Sequence, residues 1–226
     1  MGDLGDMDSK KKRIFIGLTA FTAFIAIALS VMNNMRYEEI PRFDSVIRSG
    51  ILNLRSDLLT PIVKAVTGLG NSETIIILCV ILILWRRTRF EIGLPVSCTA
   101  LFTVAVQTFF KNLIERPRPP VESFLIPQGG FSFPSGHSCS SLVFYGFLVY
   151  LLIHKTVDKS VNKFIILLLL LPLMIGISRI YLGVHYPTDV LAGWCLGLCI
   201  LTIAVSVLEA IKEKKNEIMQ RYGNDK

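Results

Sequence analysis

The chain alternates between long uncharged apolar runs and short polar segments. A helix needs ~20 apolar residues to cross a bilayer. Residues 14–32 form the clearest such run, with no charged side chain. A shorter run covers 74–85 and is extended by 71–73. The third, 92–110, is interrupted only by Pro95 and a few polar residues. Three more follow at 138–153, 164–177 and 190–208. With their flanking turns the expected spans are about 14–32, 71–85, 92–110, 136–153, 164–180 and 189–208. The pattern therefore predicts an all-α, six-transmembrane-helix bundle in one domain, residues 1–226. Residues 43–54 mix apolar positions with Arg42, Asp44, Arg48 and Arg55, the pattern of an amphipathic helix lying on the membrane surface.

Composition agrees. Of 226 residues, 52% are hydrophobic and 18% charged, against about 25% charged in soluble domains. The same figures exclude intrinsic disorder. The first run could be a signal peptide, with Lys10–Arg13 before it and Ala26-Ile27-Ala28 as a cleavage site. Its length exceeds the roughly 7–15 apolar residues of such signals, so the segment is expected to stay.

The net charge of +7 needs a partner or an orientation to explain it. With both termini cytoplasmic, the inner segments carry Lys10–Arg13, Arg86, Arg87, Arg89, Lys155, Lys159, Lys163, Lys212, Lys214, Lys215, Arg221 and Lys226. The outer segments carry fewer, so the positive-inside rule predicts both termini inside. The chain is then expected in the plasma membrane as a multi-pass protein. No soluble basic surface remains for nucleic acid. Five outer cations lie between Arg36 and Lys64 among carboxylates, as expected of a solvated or headgroup-facing surface. Four do not: Lys111, Arg116, Arg118 and Arg179.

The five cysteines all fall inside apolar runs and form no C-x-x-C pair, so they read as small apolar filler. Gly193-x-x-x-Gly197 allows close approach of another helix, within the chain or between chains. The oligomeric state stays open.

Three polar motifs stand at span ends. The third span runs into Lys111, Arg116, Pro117, Arg118 and Pro119, where the prolines stop the helix. The fourth opens with Pro134-Ser135-Gly136-His137; Ser135 suits an N-cap, and first-turn amides suit a phosphate. Before the sixth stand Ser178, Arg179, His185, Pro187 and Asp189. Asp189 lies four residues after His185, close enough to hold its Nδ1–H and leave Nε2 free to attack. The topology, counted from Lys and Arg alone, puts all three motifs on the outer face. Two histidines, a carboxylate and fixed cations at an interface describe phosphoryl transfer. The cations would stabilise phosphate charge, one histidine would attack and the other would protonate the leaving oxygen. No Asp/Glu cluster offers an Mg²⁺ site, so metal-independent chemistry with no cofactor is expected. His154, on the inner face beside Lys155, is expected to be solvated.

These motifs resemble the signature of the type 2 phosphatidic acid phosphatase superfamily. Its pattern is Lys, six residues, Arg-Pro; then Pro-Ser-Gly-His; then Ser-Arg, five residues, His, three residues, Asp. Here it stands as Lys111…Arg118-Pro119, Pro134-Ser135-Gly136-His137 and Ser178-Arg179…His185…Asp189, with every fixed position matched. The resemblance implies the phosphatase/haloperoxidase-like helical core. It implies His185 as nucleophile forming a phosphohistidine, Asp189 orienting it, and His137 as acid and then base. Lys111, Arg118, Ser135, Gly136 and Arg179 would bind the phosphate. Arg116 falls outside the pattern and is expected to be a peripheral cation. The implied substrate is an amphiphilic phosphorylated lipid, phosphatidylglycerophosphate or phosphatidic acid, with undecaprenyl pyrophosphate as the alternative. Its chains would lie in lipid between the third and fourth spans. A non-catalytic lipid-binding or transport protein would be expected to have lost His137, His185 or Asp189, and all three are present.

Overall fold

The computed structural model describes residues 2–154 and 162–224, with side chains over 9–154 and 165–221. Lys155, Lys159, Lys226 and the side chain of Lys163, counted above toward the inner face, lie outside it. Eight α-helices are described: α1 Gly2–Arg36, α2 Arg42–Leu52, α3 Leu59–Gly68, α4 Ser72–Leu84, α5 Leu94–Ile114, α6 Gly136–Ile153, α7 Asn162–Tyr181 and α8 Pro187–Asn224. No strand occurs among the described residues.

Among the described residues, four helices are long and apolar enough to cross a membrane: Ser9–Arg36, Arg89–Ile114, Gly136–Ile153 and Pro187–Arg221. The expected second span is different. α4 has 13 residues, and at 1.5 Å per residue it cannot cross ~30 Å of hydrocarbon. It forms a broken pair with α3, bent by 47° at residues 69–71. The expected fifth span falls on α7, 20 residues long, whose last turn carries Ser178 and Arg179. Among the described residues, length and composition thus support four spans, or five with the broken pair; the expected six-helix count is matched in part.

α6 is the hub, buried among α5, α7 and α8. Its sequence is apolar on all sides, as a surrounded helix requires. The small face of α8 makes this possible. A Cβ at Gly193 would lie 2.6 Å from the Ser135 carbonyl oxygen, and one at Gly197 would lie 3.0 Å from that of Cys139. The Gly-x-x-x-Gly pair is therefore spent inside the chain, seating α8 on the start of α6.

α1 packs along α8. Arg13 pairs with Glu209 and donates to Ser206, Tyr150 donates to Glu209, and Lys10 lies 3.8 Å from Glu213. Both termini are therefore at one end of the bundle, and the starts of α6 and α8 are at the other. Under that second end Phe24, Phe133 and Phe110 interlock, fixing residues 131–136 between α1, α5, α6 and α8.

α2 corrects one expectation. Its apolar side chains Phe43, Val46 and Ile47 face outward, as on a membrane surface, but part of its polar edge turns inward. Asp44 is completely buried. Nearby, Arg48 donates to Ser123 Oγ, and Arg55 to the carbonyls of Tyr181 and Ser123. These cations tie the outer segment to the loops around the site rather than to headgroups.

Candidate active site

α5 stops at Ile114. Glu115 takes a left-handed φ of 52°, and Pro117 prevents continuation. This turn leaves Lys111 in the last helical turn, sends Arg116 into the protein and returns Arg118 over a cavity of about 240 Å³. Lys111, Arg118, Gly136, His137 and His185 all line that cavity, with Gln107, Gly70 and Ser140. Ser135 caps α6 beneath it, accepting from Ser138. Arg179 lies behind the lining, 1% exposed, donating to Thr67 and Gln128.

His185 sits in the tight connection before α8. Its Nδ1 is 3.3 Å from Asp189 Oδ2, the four-residue contact expected from sequence. Asp189 Oδ2 also accepts from Ser132 Oγ at 2.5 Å and from the Tyr186 amide at 2.8 Å. Arg118 Nη1 lies 3.2 Å from His185 Nε2 and donates to the Val184 carbonyl. An Arg can only donate, so Nε2 carries the lone pair and Nδ1 the proton. Burial pushes the His185 imidazole down to about 3; Asp189 opposes this, and Arg118 and Arg179 add to it. The ring is thus neutral near pH 7, the form that can attack an electrophile.

The cations are held by carbonyl oxygens. Lys111 Nζ donates to Phe131 O at 2.8 Å, and Arg118 reaches the carbonyls of Gly129, Gly130 and Phe131. A carbonyl dipole orients a cation without cancelling its charge, so positive charge stays available at the cavity. Burial holds the Arg118 guanidinium below its ordinary value.

Arg116 is not peripheral. It is 4% exposed and bridges two buried carboxylates: Nη1 is 2.6 Å from Asp189 Oδ1, and Nη2 is 2.7 Å from Asp44 Oδ2. Burial disfavours its charge, but Asp189 and Asp44 outweigh that and hold the guanidinium above its ordinary value. It also donates to Thr188 and lies 4.1 Å from the Tyr186 ring centroid. Asp44 in turn accepts from the Thr188 amide and hydroxyl. Sequence reading missed Asp44, Ser132 and Asn71, and misplaced Arg116. The one available signal was the Arg-Pro-Arg-Pro run, which holds two cations where the motif uses one. His154, as expected, lies exposed and far along α6, bonded to its own helix at Tyr150 O.

The profile of the PAP2 superfamily matches residues 92–213. The chain belongs to the PAP2 superfamily. Phosphatidylglycerophosphatase B of Bacillus subtilis (strain 168) is 29% identical over 200 residues, covering 86% of this chain and 96% of that protein. The crystal structure of a transmembrane PAP2-type phosphatidylglycerolphosphate phosphatase from Bacillus subtilis superposes with a TM-score of 0.75 at 28% identity, covering 87% of this chain and 98% of that one. An undecaprenyl-diphosphatase of Sulfolobus acidocaldarius is 29% identical over 144 residues, 62% of this chain and 66% of that protein. The PAP2 match contains Lys111 through Asp189 but none of α1–α4. Asp44 and Asn71 therefore reach the site from outside it. Among the described residues, no three His, Cys, Asp or Glu side chains are grouped to hold a metal ion.

Proposed function

We propose that this chain is a membrane phosphatase hydrolysing the phosphomonoester of phosphatidylglycerophosphate or phosphatidic acid without a metal ion. The observation that carries the reading is His185, whose Nδ1 is held by Asp189 while Nε2 faces the cationic cavity beside Arg118. Nε2 attacks phosphorus and the phosphorus–oxygen bond breaks. His137 gives a proton to the leaving oxygen. His137 then takes a proton from water, whose oxygen displaces the His185 nitrogen and releases inorganic phosphate. Asp189 balances the charge that appears on the His185 ring. Lys111, Arg118 and Arg179 carry the charge on the phosphoryl oxygens, the role a metal ion would otherwise fill. The first-turn amides of α6 at Gly136 and His137 can add to it.

The cavity lies between α5, through Gln107 and Lys111, and α6, through His137 and Ser140. That placement supports acyl chains leaving into lipid between these helices. The shared end of the two termini, with its basic flanks, supports a cytoplasmic location for them and an extracytoplasmic site. Phosphatidylglycerophosphate is the first substrate to test, because the relative named for it covers more of this chain than the undecaprenyl-diphosphatase does.

Purified protein in EDTA should be given phosphatidylglycerophosphate, phosphatidic acid, lysophosphatidic acid and undecaprenyl pyrophosphate. The expected result is the highest kcat/KM on one of the first two, no turnover by His185→Ala and a ~10²–10⁴-fold loss for His137→Ala. Strict dependence on added metal would refute the mechanism, as would near-wild-type turnover by His185→Ala. Preference for the pyrophosphate would move the substrate to the cell-wall carrier.

A further inference from the structure

The break between α3 and α4 enters the active site at three points. Asn71 Oδ1 lies 2.8 Å from His137 Nε2. Gly70 packs on the same ring: a Cβ there would stand 3.2 Å from His137 Cδ2 and 2.6 Å from Ile175 Cγ2. Thr67 Oγ1 accepts from Arg179 Nη1 at 2.9 Å. The break is itself pinned. Tyr145, two turns along α6 from His137, donates to Leu69 O at 2.8 Å, and Thr74 Oγ1 closes on Gly68 O at 2.7 Å.

We infer that Asn71 is a positioning residue that fixes the tautomer of His137 and selects Nδ1 as the nitrogen that exchanges the proton. An amide oxygen can only accept, so Nε2 must carry hydrogen. It can accept from the neutral ring and from the imidazolium alike, so the contact survives both halves of the reaction. The Nδ1–H of the imidazolium is then what passes to the leaving oxygen as the phosphorus–oxygen bond breaks. The Nδ1 lone pair later takes a proton from water as the phosphorus–nitrogen bond to His185 breaks. Asn71 brings no charge, which matters because the charged and titratable groups facing His137 are Arg179, His185, Lys111 and Arg118. The kink that shortens α4 is thus a way of carrying a side chain from the broken pair onto the acid–base histidine.

The inference rests on the phosphatase reading, and its test separates the two. Wild type, His137→Ala, Asn71→Ala and Asn71→Asp would be assayed on a short-chain phosphatidic acid, whose alkoxide must be protonated, and on p-nitrophenyl phosphate, whose phenolate need not be. For Asn71→Ala, kcat on the lipid should fall roughly 10–100-fold, short of the loss from removing the acid itself. KM should hold, and the burst of p-nitrophenolate, which reports the first half-reaction alone, should keep its rate within about threefold. Asn71→Asp keeps the acceptor oxygen and should restore the wild-type ratio of the two rates. ¹⁵N NMR of wild-type protein, with His137 assigned by its loss in His137→Ala, should show the neutral ring protonated at Nε2. An Nδ1–H ring overturns the inference, and so does an Asn71→Ala loss that is absent, or that is equal for the lipid and for the p-nitrophenolate burst. If wild type hydrolyses neither ester, the phosphatase reading falls and this inference with it.

Discussion

Arg116 offers the sharpest perturbation. It is a single guanidinium between two carboxylates, Asp44 and Asp189, that are themselves completely buried. Removing one partner of a buried ion pair costs about 3–5 kcal/mol, because an uncompensated charge is left behind. Here the loss is cushioned on both sides. Asp44 keeps the Thr188 amide and hydroxyl, and Asp189 keeps Ser132, the Tyr186 amide and His185. The cost of Arg116→Ala should therefore sit near the lower end, about 3 kcal/mol, or a melting-temperature drop of roughly 6–12 °C for a chain of this size. Activity should fall as well, since Asp189 Oδ1 loses the Arg116 guanidinium and the carboxylate can rotate away from His185. One decade in kcat corresponds to about 1.4 kcal/mol, so a ten- to hundredfold loss uses only part of that energy. Arg116→Lys should fall between, because an ammonium lacks the fork that reaches both carboxylates. Thermal melting in detergent and kcat on phosphatidic acid, run in parallel for wild type, Arg116→Ala, Asp44→Asn and the double variant, would measure this. The two sites share a contact, so the double-mutant cycle should show coupling of about 0.5–3 kcal/mol. An Arg116→Ala protein that melts with wild type and turns over normally would refute the reasoning, and additive single effects would refute the relay from Asp44.

Three further outcomes follow from the geometry. His185 is held near 3 in the folded protein against an ordinary 6.5. Between those values the unfolded chain binds a proton that the native one lacks, so native stability should fall as pH drops through that window. Melting temperature from pH 7 to 4.5 should decline more steeply for wild type than for His185→Gln, and equal slopes would contradict it. Gly193→Ala would force a Cβ to 2.6 Å from Ser135 O and 2.9 Å from Ser138 Cβ, neither of them a flexible tip. It should destabilise by about 1–3 kcal/mol and lower kcat by shifting the start of α6, read by melting and turnover. Arg13→Ala removes the pairing with Glu209 and Ser206 at the far end of the bundle. It should lower the melting temperature while leaving kcat/KM within about twofold, since distant sites are nearly independent.

The motif residues were legible because their chemistry is local. His185 and Asp189 are one helical turn apart, Pro187 starts α8, and Ser135 caps α6. Spacing alone decides such contacts. Hydropathy located every apolar run but could not show that 71–85 is half of a bent pair. A broken pair and a short span have the same apolar composition, and at the bend of this one Gly70 packs on His137 and Ile175 across the chain. Asp44 was unreadable for a related reason. On an amphipathic segment a carboxylate next to arginines reads as solvent-facing. Here the apolar edge of α2 turns outward, and the polar edge finds Arg116 and Thr188, 72 and 144 residues away.

These long-range contacts divide the site into two layers. The inner layer, Lys111 to Asp189, falls inside the PAP2 match and holds the groups to which the proposed mechanism gives the phosphoryl transfer. Relatives named for different phosphates are equally identical to this chain, 29% in each case, so overall likeness does not set the substrate. The outer layer comes from α2 and the α3–α4 break. It touches the inner one at Asp44 on Arg116, Thr67 on Arg179, and Gly70 and Asn71 on His137. Each contact bears on a residue of the cavity wall or one directly behind it. The cavity wall at Gly70 and Ser72 belongs to the same break. A change of headgroup preference is therefore expected from exchanging residues 67–72 with those of an undecaprenyl-diphosphatase, and not from exchanging the motif loops. The ratio of phosphatidic acid to undecaprenyl pyrophosphate turnover in the two chimaeras decides it, and a shift that follows the motif loops would place selectivity in the inner layer instead.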